Sequence, residues 1–440
     1  MIKYLAAACA FALMPIAVAD AQQTLPRRSV LGASAANVEG GVQISQVRDD
    51  TPASRAGLAM GDVVTRIGDQ TIANTRDFVT AARGASTSHA TPFTITRAGA
   101  PRTLQVRLAE APREQSPDLS ITYESIRVGD TLRRTIVTTP RGARHRRPAM
   151  LLVGGIGCYS IDDANAPDPY RNVAHDIARR GLVVMRVEKS GMGDSQGAAC
   201  ATVDFEAEHA AYDAALAALR ADRRVDPTQV FVFGHSIGVV HAPALAQRHR
   251  TAGVIAADGA GVTWMEYDLI NTRRQIELSG ASPAETDAIL IAKAHCASRA
   301  FLAREPVEQL FTERPECAEL VTLPASQAYM IQLTERNPGA DWSAVSAPIL
   351  FIYGDSDFLT SAADHERLLA VANAAHPGNA TLSTIEDFDH YMVRTESQAS
   401  SFARVGAGQA VAAYDPRFSQ VVSDWICARA ACAGVQTANR

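Results

Sequence analysis

Ser236 stands in Gly234-His235-Ser236-Ile237-Gly238, directly after the apolar run Val230-Phe231-Val232-Phe233 and before the small, apolar stretch Val239 to Leu245. Strand, sharp turn and helix in that order let small flanking residues hold a serine on a strained turn with its Oγ exposed, so the segment points to covalent catalysis by Ser236. The five-residue pattern alone is weak, because chance supplies roughly one match for every ten chains of this size. Partner residues must decide. A serine hydroxyl needs a base, and the base needs a carboxylate to hold its tautomer. His390, in Glu386-Asp387-Phe388-Asp389-His390-Tyr391, falls on a loop after the last expected strand and is the base of choice. His235 and His241 flank the serine along the elbow and its helix, and His295, His365 and His376 fall in the cap or on surface helices, where structural roles suit them better. Asp357, in Gly354-Asp355-Ser356-Asp357 after the run Ile349 to Tyr353, has the reach for the acid, whereas Asp355 suits the turn itself. Asp258, after the preceding strand, is the alternative acid. The developing oxyanion needs N–H donors. Ile237 offers one, and Ile156, in Gly154-Gly155-Ile156-Gly157 after the run Ala149 to Val153, offers the other.

The elements that must carry these residues alternate between strand and helix from about residue 118 to 432, the pattern of a mostly parallel, helix-covered sheet. Strands are expected at Ile121 to Val128, Arg134 to Thr138, Ala149 to Val153, Val183 to Val187, Val230 to Phe233, Gly253 to Ala256, Ile349 to Tyr353 and Thr381 to Ile385. Helices are expected at Tyr170 to Arg179, Phe205 to Arg220, after Ser236, Asp364 to Ala372 and Phe418 to Arg429. Between Ala260 and Ala347 the strand rhythm stops and helical sequence takes over, so a cap over the site is expected at about 260–347. Trp264, Tyr267, Phe301, Tyr329 and Trp342 would shape its pocket, although large aromatics are more often core.

Residues 29–108 read as a separate unit. Val42-Gln43-Ile44 and Val47 alternate as a strand, Thr51-Pro52-Ala53 opens a short helix that Gly57 ends, and Asp77 is expected to cap a helix from Phe78 to Ala82. Phe93 to Thr96 and Leu104 to Leu108 are further strands around a Gly99 turn. Residues 109–117, with Pro112 and Pro117, read as a linker. Lys3, the apolar run Leu5 to Val18 and small residues at Ala17-Val18-Ala19 or Ala19-Asp20-Ala21 read as a secretory signal over residues 1–21, with a retained anchor as the competing reading. A periplasmic or secreted location follows, with no stable membrane insertion after cleavage.

The chain has 440 residues, 47% apolar and 20% charged, which suits two or three globular domains. A net charge of −5 suggests neither a nucleic acid nor an anionic membrane as partner. Of seven cysteines, Cys9 lies in the leader. The remaining six suit disulfides in an exported chain, although six allow 15 pairings. Sequence neighbours suggest Cys296 with Cys317 and Cys427 with Cys432, which leaves Cys158 with Cys200. Loop closure gives the last pair about 4 kcal/mol as an upper figure, against roughly 2 for the short loop. With no Cys-x-x-Cys pair, zinc is a poor alternative and no metal is expected. Gly191 to Gly197 lacks the spacing of a phosphate-binding turn, so no cofactor is expected either.

Two family resemblances complete the reading. Gly41-Val42, Pro52-Ala53, Ala56-Gly57-Leu58, Gly61-Asp62-Val63-Val64, Ile67 and Ile72 make residues 29–108 resemble a PDZ domain of the bacterial periplasmic protease type. The resemblance implies that the loop Val30-Leu31-Gly32-Ala33 offers backbone N–H groups to a peptide's C-terminal carboxylate and that an edge strand accepts the peptide. A PDZ fold used only for packing or oligomerisation is the alternative. Gly154-Gly155-Ile156, Gly234 to Gly238, Asp357 and His390 make the remainder resemble the α/β-hydrolase family, whose chain order is serine, acid, histidine. That implies a mostly parallel eight-stranded sheet with a helical cap insertion. Glu188-Lys189-Ser190-Gly191-Met192-Gly193-Asp194-Ser195 resembles the Asp-x-Arg-Gly-x-Gly-x-Ser stretch of serine aminopeptidase-like and esterase-like members, with Glu188 and Lys189 as departures. Glycine also replaces the common histidine before the oxyanion loop. In such a fold Cys158 and Cys200 follow neighbouring strands, which supports their pairing beside the pocket. The expected activity is hydrolysis of a carboxylic ester or thioester through an acyl-enzyme on Ser236. A peptidase acting on amides is the alternative, and a non-catalytic PDZ-based binding protein is the alternative of another class.

Overall fold

The central strands of the catalytic unit read as unbroken apolar runs, the signature of a parallel sheet covered on both faces. The computed structural model describes residues 25–142, 145–164, 166–409 and 413–432; the expected leader over 1–21, with Cys9, lies outside them. Strands β1 (Leu119–Val128), β2 (Thr131–Pro140), β3 (Arg147–Val153), β4 (Val183–Val187), β5 (Val225–His235), β6 (Gly253–Ala257), β7 (Ile349–Gly354) and β8 (Ala380–Ile385) form one sheet in the order β1-β2-β4-β3-β5-β6-β7-β8. Only β2 runs antiparallel to its neighbours β1 and β4; the rest of the ladder is parallel. This is the α/β-hydrolase topology.

Alternate residues of each strand face opposite layers. Ala149, Leu151 and Val153 of β3 pack with Leu216 and Leu368, from helices Phe205–Ala221 and Ala362–Ala375. Met150 and Leu152 pack with Ile177 and Phe418, from helices Pro169–Arg179 and Arg417–Cys427. The cap begins with helices Trp264–Leu278 and Pro283–Ala297 and has its own apolar core, which Phe205 and Ile237 of the catalytic body enter. Phe301 and Tyr329 belong to that core, and Trp342 packs against Phe351 of β7 with ring centroids 5.0 Å apart. These three aromatics therefore hold the fold and do not shape the pocket as expected.

The PDZ unit is a sheet in the order Ala33–Val38, Gly41–Val47, Val63–Ile67, Thr91–Arg97, Ala100–Val106, with helix Thr75–Gly84. Asn74, not Asp77, caps that helix, because Asn74 holds the extended backbone a cap needs and its side chain accepts the Asp77 N–H; the Asp77 side chain turns back to Ala73 N at 3.2 Å. Nor are residues 109–117 a free tether. Ser29–Val30 pairs with Ala109–Glu110, Ala111 is buried, and the Glu114 carboxylate is buried 2.6 Å from the Arg186 guanidinium.

Just before the PDZ unit, Arg27 inserts into the catalytic body. Its guanidinium contacts Asp162 and lies 2.6 Å from Asp194, donates to the Pro112 carbonyl at 2.8 Å, and stacks over the Tyr123 ring at 4.5 Å. Arg28 and Arg134 add contacts to the same two fully buried carboxylates, at 2.7 Å and 3.0 Å. Three disulfides link Cys158 to Cys200, Cys296 to Cys317 and Cys427 to Cys432. Among the described residues no helix is long and apolar enough to cross a membrane, and no group of three or more His, Cys, Asp or Glu is placed to hold a metal.

Candidate active site

Strand β5 delivers Ser236 onto a turn where it takes φ +56°, the left-handed region that costs a non-glycine residue about 1–3 kcal/mol. The turn is held by the Ser236 N–H donating to Ala257 O of β6 at 3.0 Å. Both flanking glycines are required by close approach. A Cβ on Gly234 would lie 2.4 Å from Gly238 O, and one on Gly238 would lie 2.3 Å from Val153 O. The helix Gly238–His249 can therefore press against the ends of β3 and β5.

His390 arrives from the loop after β8. Its Nε2 accepts from Ser236 Oγ at 3.0 Å, and its Nδ1–H donates to Asp357 Oδ2 at 2.8 Å. Asp357, from the loop after β7, is fully buried; its Oδ1 accepts the N–H groups of Leu359 at 2.7 Å and Thr360 at 3.1 Å. The structure thus brings the three sequence candidates into one hydrogen-bonded series. Burial alone would raise the Asp357 pKa, but the facing imidazole and these donors hold it below the ordinary carboxylate range. The alternative acid, Asp258, is placed elsewhere: its Oδ1 accepts Gly354 N–H at 2.9 Å, and its Oδ2 is 3.9 Å from His235 Nε2. Burial, then the nearby Asp357 charge, push its pKa up to about 8. A neutral carboxyl there spares the site a second buried anion.

Ile237 caps the helix after Ser236, and Ile156 lies on the loop after β3. Both line a cavity that includes Ser236, and a methyl group on Gly155 would stand 3.9 Å from Ser236 Oγ. The Gly155 peptide is tied down on each side. Tyr159 Oη and Lys189 Nζ donate to its carbonyl at 3.1 and 2.8 Å. Its N–H donates to Tyr170 Oη at 2.8 Å, so the Tyr170 proton goes to His235 Nδ1 at 2.7 Å, and His235 Nε2–H goes to the backbone carbonyl of His390 at 3.0 Å. A backbone donor at one end and a backbone acceptor at the other fix every proton in this chain, which joins the glycine loop to the histidine loop. Burial holds His235 near a pKa of about 3, so it stays neutral.

The sequence did not single out Tyr170, and gave His235 only a structural role. It also missed the clamp on the histidine loop, where Asp389 accepts from Ser401 Oγ at 2.7 Å and pairs with Arg404. His365, expected on a surface helix, is buried against the Tyr353 ring, and its Nδ1–H donates to Ser361 O at 2.8 Å. Of the departures from the family stretch, Lys189 is the tether on Gly155, and burial pushes the Glu188 carboxyl up to about 7. The Cys158–Cys200 bond links the loops after β3 and β4.

Two cavities meet at Ser236. One, about 340 Å³, has Tyr159, Tyr170, His390, Tyr391 and Met392 in its wall. The other, about 630 Å³, lies under the cap, where Trp264 and Tyr267 face Ile156 and Ile237.

In the PDZ unit, Val30 pairs with Ala109, Leu31 is in the core, and Ala33 opens a strand that forms an edge of the sheet. Gly32 takes φ +83°, and a Cβ there would lie 2.3 Å from Thr51 Cβ. The carbonyls of Leu31 and Gly32 are engaged by the N–H groups of Ala53 at 2.9 Å and Arg48 at 3.0 Å.

Residues 29–108 match the family described as PDZ domain, and residues 166–398, just over half of the chain, match the family described as serine aminopeptidase, S33. Esterase EstD of Thermotoga maritima is 24% identical over 293 residues, covering 66% of this chain; this chain spans 64% of that esterase's length. Among solved structures, Est1E from Butyrivibrio proteoclasticus with bound ferulic acid is 12% identical, covers 69% of this chain and 98% of its own, and superposes with a TM-score of 0.45. The Pyrococcus furiosus esterase Pf2001 is 11% identical, with 72% and 96% covered and a TM-score of 0.43. With more than half of its residues in that match and the topology described above, the chain belongs to the serine aminopeptidase S33 family of serine hydrolases and carries a PDZ domain ahead of its catalytic domain.

Proposed function

We propose that the protein is an exported enzyme that hydrolyses a carboxylic ester or thioester through an acyl-enzyme on Ser236. The observation that carries this reading is the unbroken series from Ser236 Oγ through the His390 ring to Asp357 Oδ2, at 3.0 and 2.8 Å. In it His390 takes the serine proton as Oγ attacks the carbonyl carbon, and then returns it to the departing alkoxide or thiolate. Asp357 keeps the imidazole in the tautomer whose Nε2 is free to accept. The N–H groups of Ile237 and Ile156 would hold the oxyanion. Water then enters by the same route, with His390 as base, and frees the acid. An ester is favoured because the curated relative is described as an esterase. The family's description, serine aminopeptidase, supports a second reading in which the scissile bond is an amide.

Export is supported by the three disulfides, which persist in oxidising compartments. The PDZ domain, in this reading, takes peptide C-termini along Ala33–Val38 with the carboxylate at Val30 to Ala33. Ser236→Ala is expected to lose on the order of a millionfold in turnover of p-nitrophenyl esters, since the three residues act as a unit. Fluorophosphonate labelling should vanish with it. Folded wild-type protein that neither labels nor hydrolyses would leave a PDZ-based binding protein in its place.

A further inference from the structure

The two cavities at Ser236 differ in one respect that chemistry can use. His390 is in the wall of the smaller one and, among the described residues, not in that of the larger one. When Oγ adds to an ester carbonyl, the carbon carries four groups: Oγ, the oxyanion, the leaving oxygen and the acyl chain. The leaving oxygen must receive its proton from His390 Nε2, so it and its alcohol lie on the side where His390 is exposed to the cavity. The acyl chain is left with the other side, under the cap.

The two walls then describe the two halves of the substrate. The smaller wall is aromatic and apolar, with Tyr159, Pro169, Tyr170, Tyr391 and Met392. The wall that the cap contributes to the larger cavity is mixed, for beside Trp264, Ile276, Ile289 and Leu320 it carries Asp268, Asn271, Gln275, Lys293 and Thr322. Lys293 is 3% exposed, and its ammonium lies 3.0 Å from Asp268 Oδ2 and donates to Leu320 O at 2.9 Å. An all-methylene chain laid against that polar part of the wall would shut it off from water where it is still open and return no hydrogen bond. Asp268 and Lys293 offset each other's charge, and Glu319 lies exposed at the same cavity, so nothing in the wall calls for an anionic chain.

Resting on the ester-hydrolase reading, we infer that the substrate is an ester of an apolar alcohol, seated beside His390, with an acyl group under the cap that carries a hydrogen-bonding group such as an amide or hydroxyl. Two probes of equal chain length test it, p-nitrophenyl hexanoate and p-nitrophenyl N-acetyl-β-alaninate. The amide-bearing ester should be favoured about tenfold or more in kcat/KM, the yield of one hydrogen bond to a buried partner. The deacylation rates of the two acyl-enzymes, measured in single turnover after p-nitrophenol has left, should differ in the same sense. Lys293→Met and, as a variant that leaves the buried ion pair in place, Gln275→Leu should bring both ratios toward one. Equal or reversed preference in the wild-type protein overturns the assignment. So does a preference that survives in a folded Gln275→Leu and Lys293→Met, or one confined to acylation. Failure to turn over even p-nitrophenyl acetate would instead remove the ester-hydrolase reading, and this inference with it.

Discussion

Burial strips water from the His390 ring and by itself lowers its pKa, yet the Asp357 carboxylate at 2.8 Å outweighs that and raises it above the ordinary histidine value. A protonated imidazole cannot accept the serine proton, so in the proposed mechanism kcat/KM should fall as pH drops, along a limb shifted up from the ordinary histidine range. His235, near 3, titrates well below that limb. A pH–rate profile on an ester reads the midpoint directly; a flat profile with no acid limb would contradict the assignment. Asp357→Asn should shift the limb down and cost on the order of 10⁴ in turnover, because the wrong tautomer is favoured. At this scale Ser236, Asp357 and His390 were legible because each follows an expected strand and its residue type suits one chemical task. Tyr170 and Arg404 were not, and Lys189 stood out only as a departure from the family stretch, without its contact to Gly155. These contacts depend on how distant loops meet, which the neighbours of each residue in the chain do not encode.

Ala33–Val38 pairs on one side with Gly41–Val47 and, among the described residues, leaves its other edge open beside helix Thr75–Gly84. An open edge can accept a further strand from a peptide. Gly32 supplies the turn that would present the N–H groups, and its left-handed φ together with the approach of Thr51 excludes a side chain. Titration with C-terminal peptides should therefore find binders of the wild-type protein that Gly32→Ala no longer binds. The reading is lost if no member of a peptide library binds folded protein. The main strands and helices were readable because apolar runs and caps mark them. Helix Gln398–Gly406 was not, since its apolar face is short and only half-buried, with Phe402 against Phe358, and the side chain it buries fully is that of Ser401, drawn in by Asp389. The packed segment 109–117 escaped notice for a similar reason. Its prolines and polar residues resemble a tether until Glu114 finds Arg186.

Across the whole molecule, Arg27 is the residue that ties the segment ahead of the PDZ domain to the catalytic body. Asp162 and Asp194 have no exposed side-chain surface, and Arg27 touches both. Removing one partner from a buried ion cluster leaves charge uncompensated, so Arg27→Ala should lower stability by about 3 kcal/mol, the low end for such a loss because Arg28 and Arg134 remain. Urea unfolding would measure it, and a change under about 1 kcal/mol would show that the remaining arginines suffice.

Because Leu25 to Arg28 belong in space to the hydrolase body, while the polypeptide departs at Ser29 and comes back at Glu110 directly opposite, the PDZ unit is spliced into its host and not strung in front of it. A fragment begun after residue 108 would thus discard Arg27 and Arg28 along with the PDZ domain, and any loss of activity in it would not report on that domain alone. Joining residue 28 to residue 111, whose N–H donates to Arg28 O at 2.9 Å, should remove the module and keep both arginines.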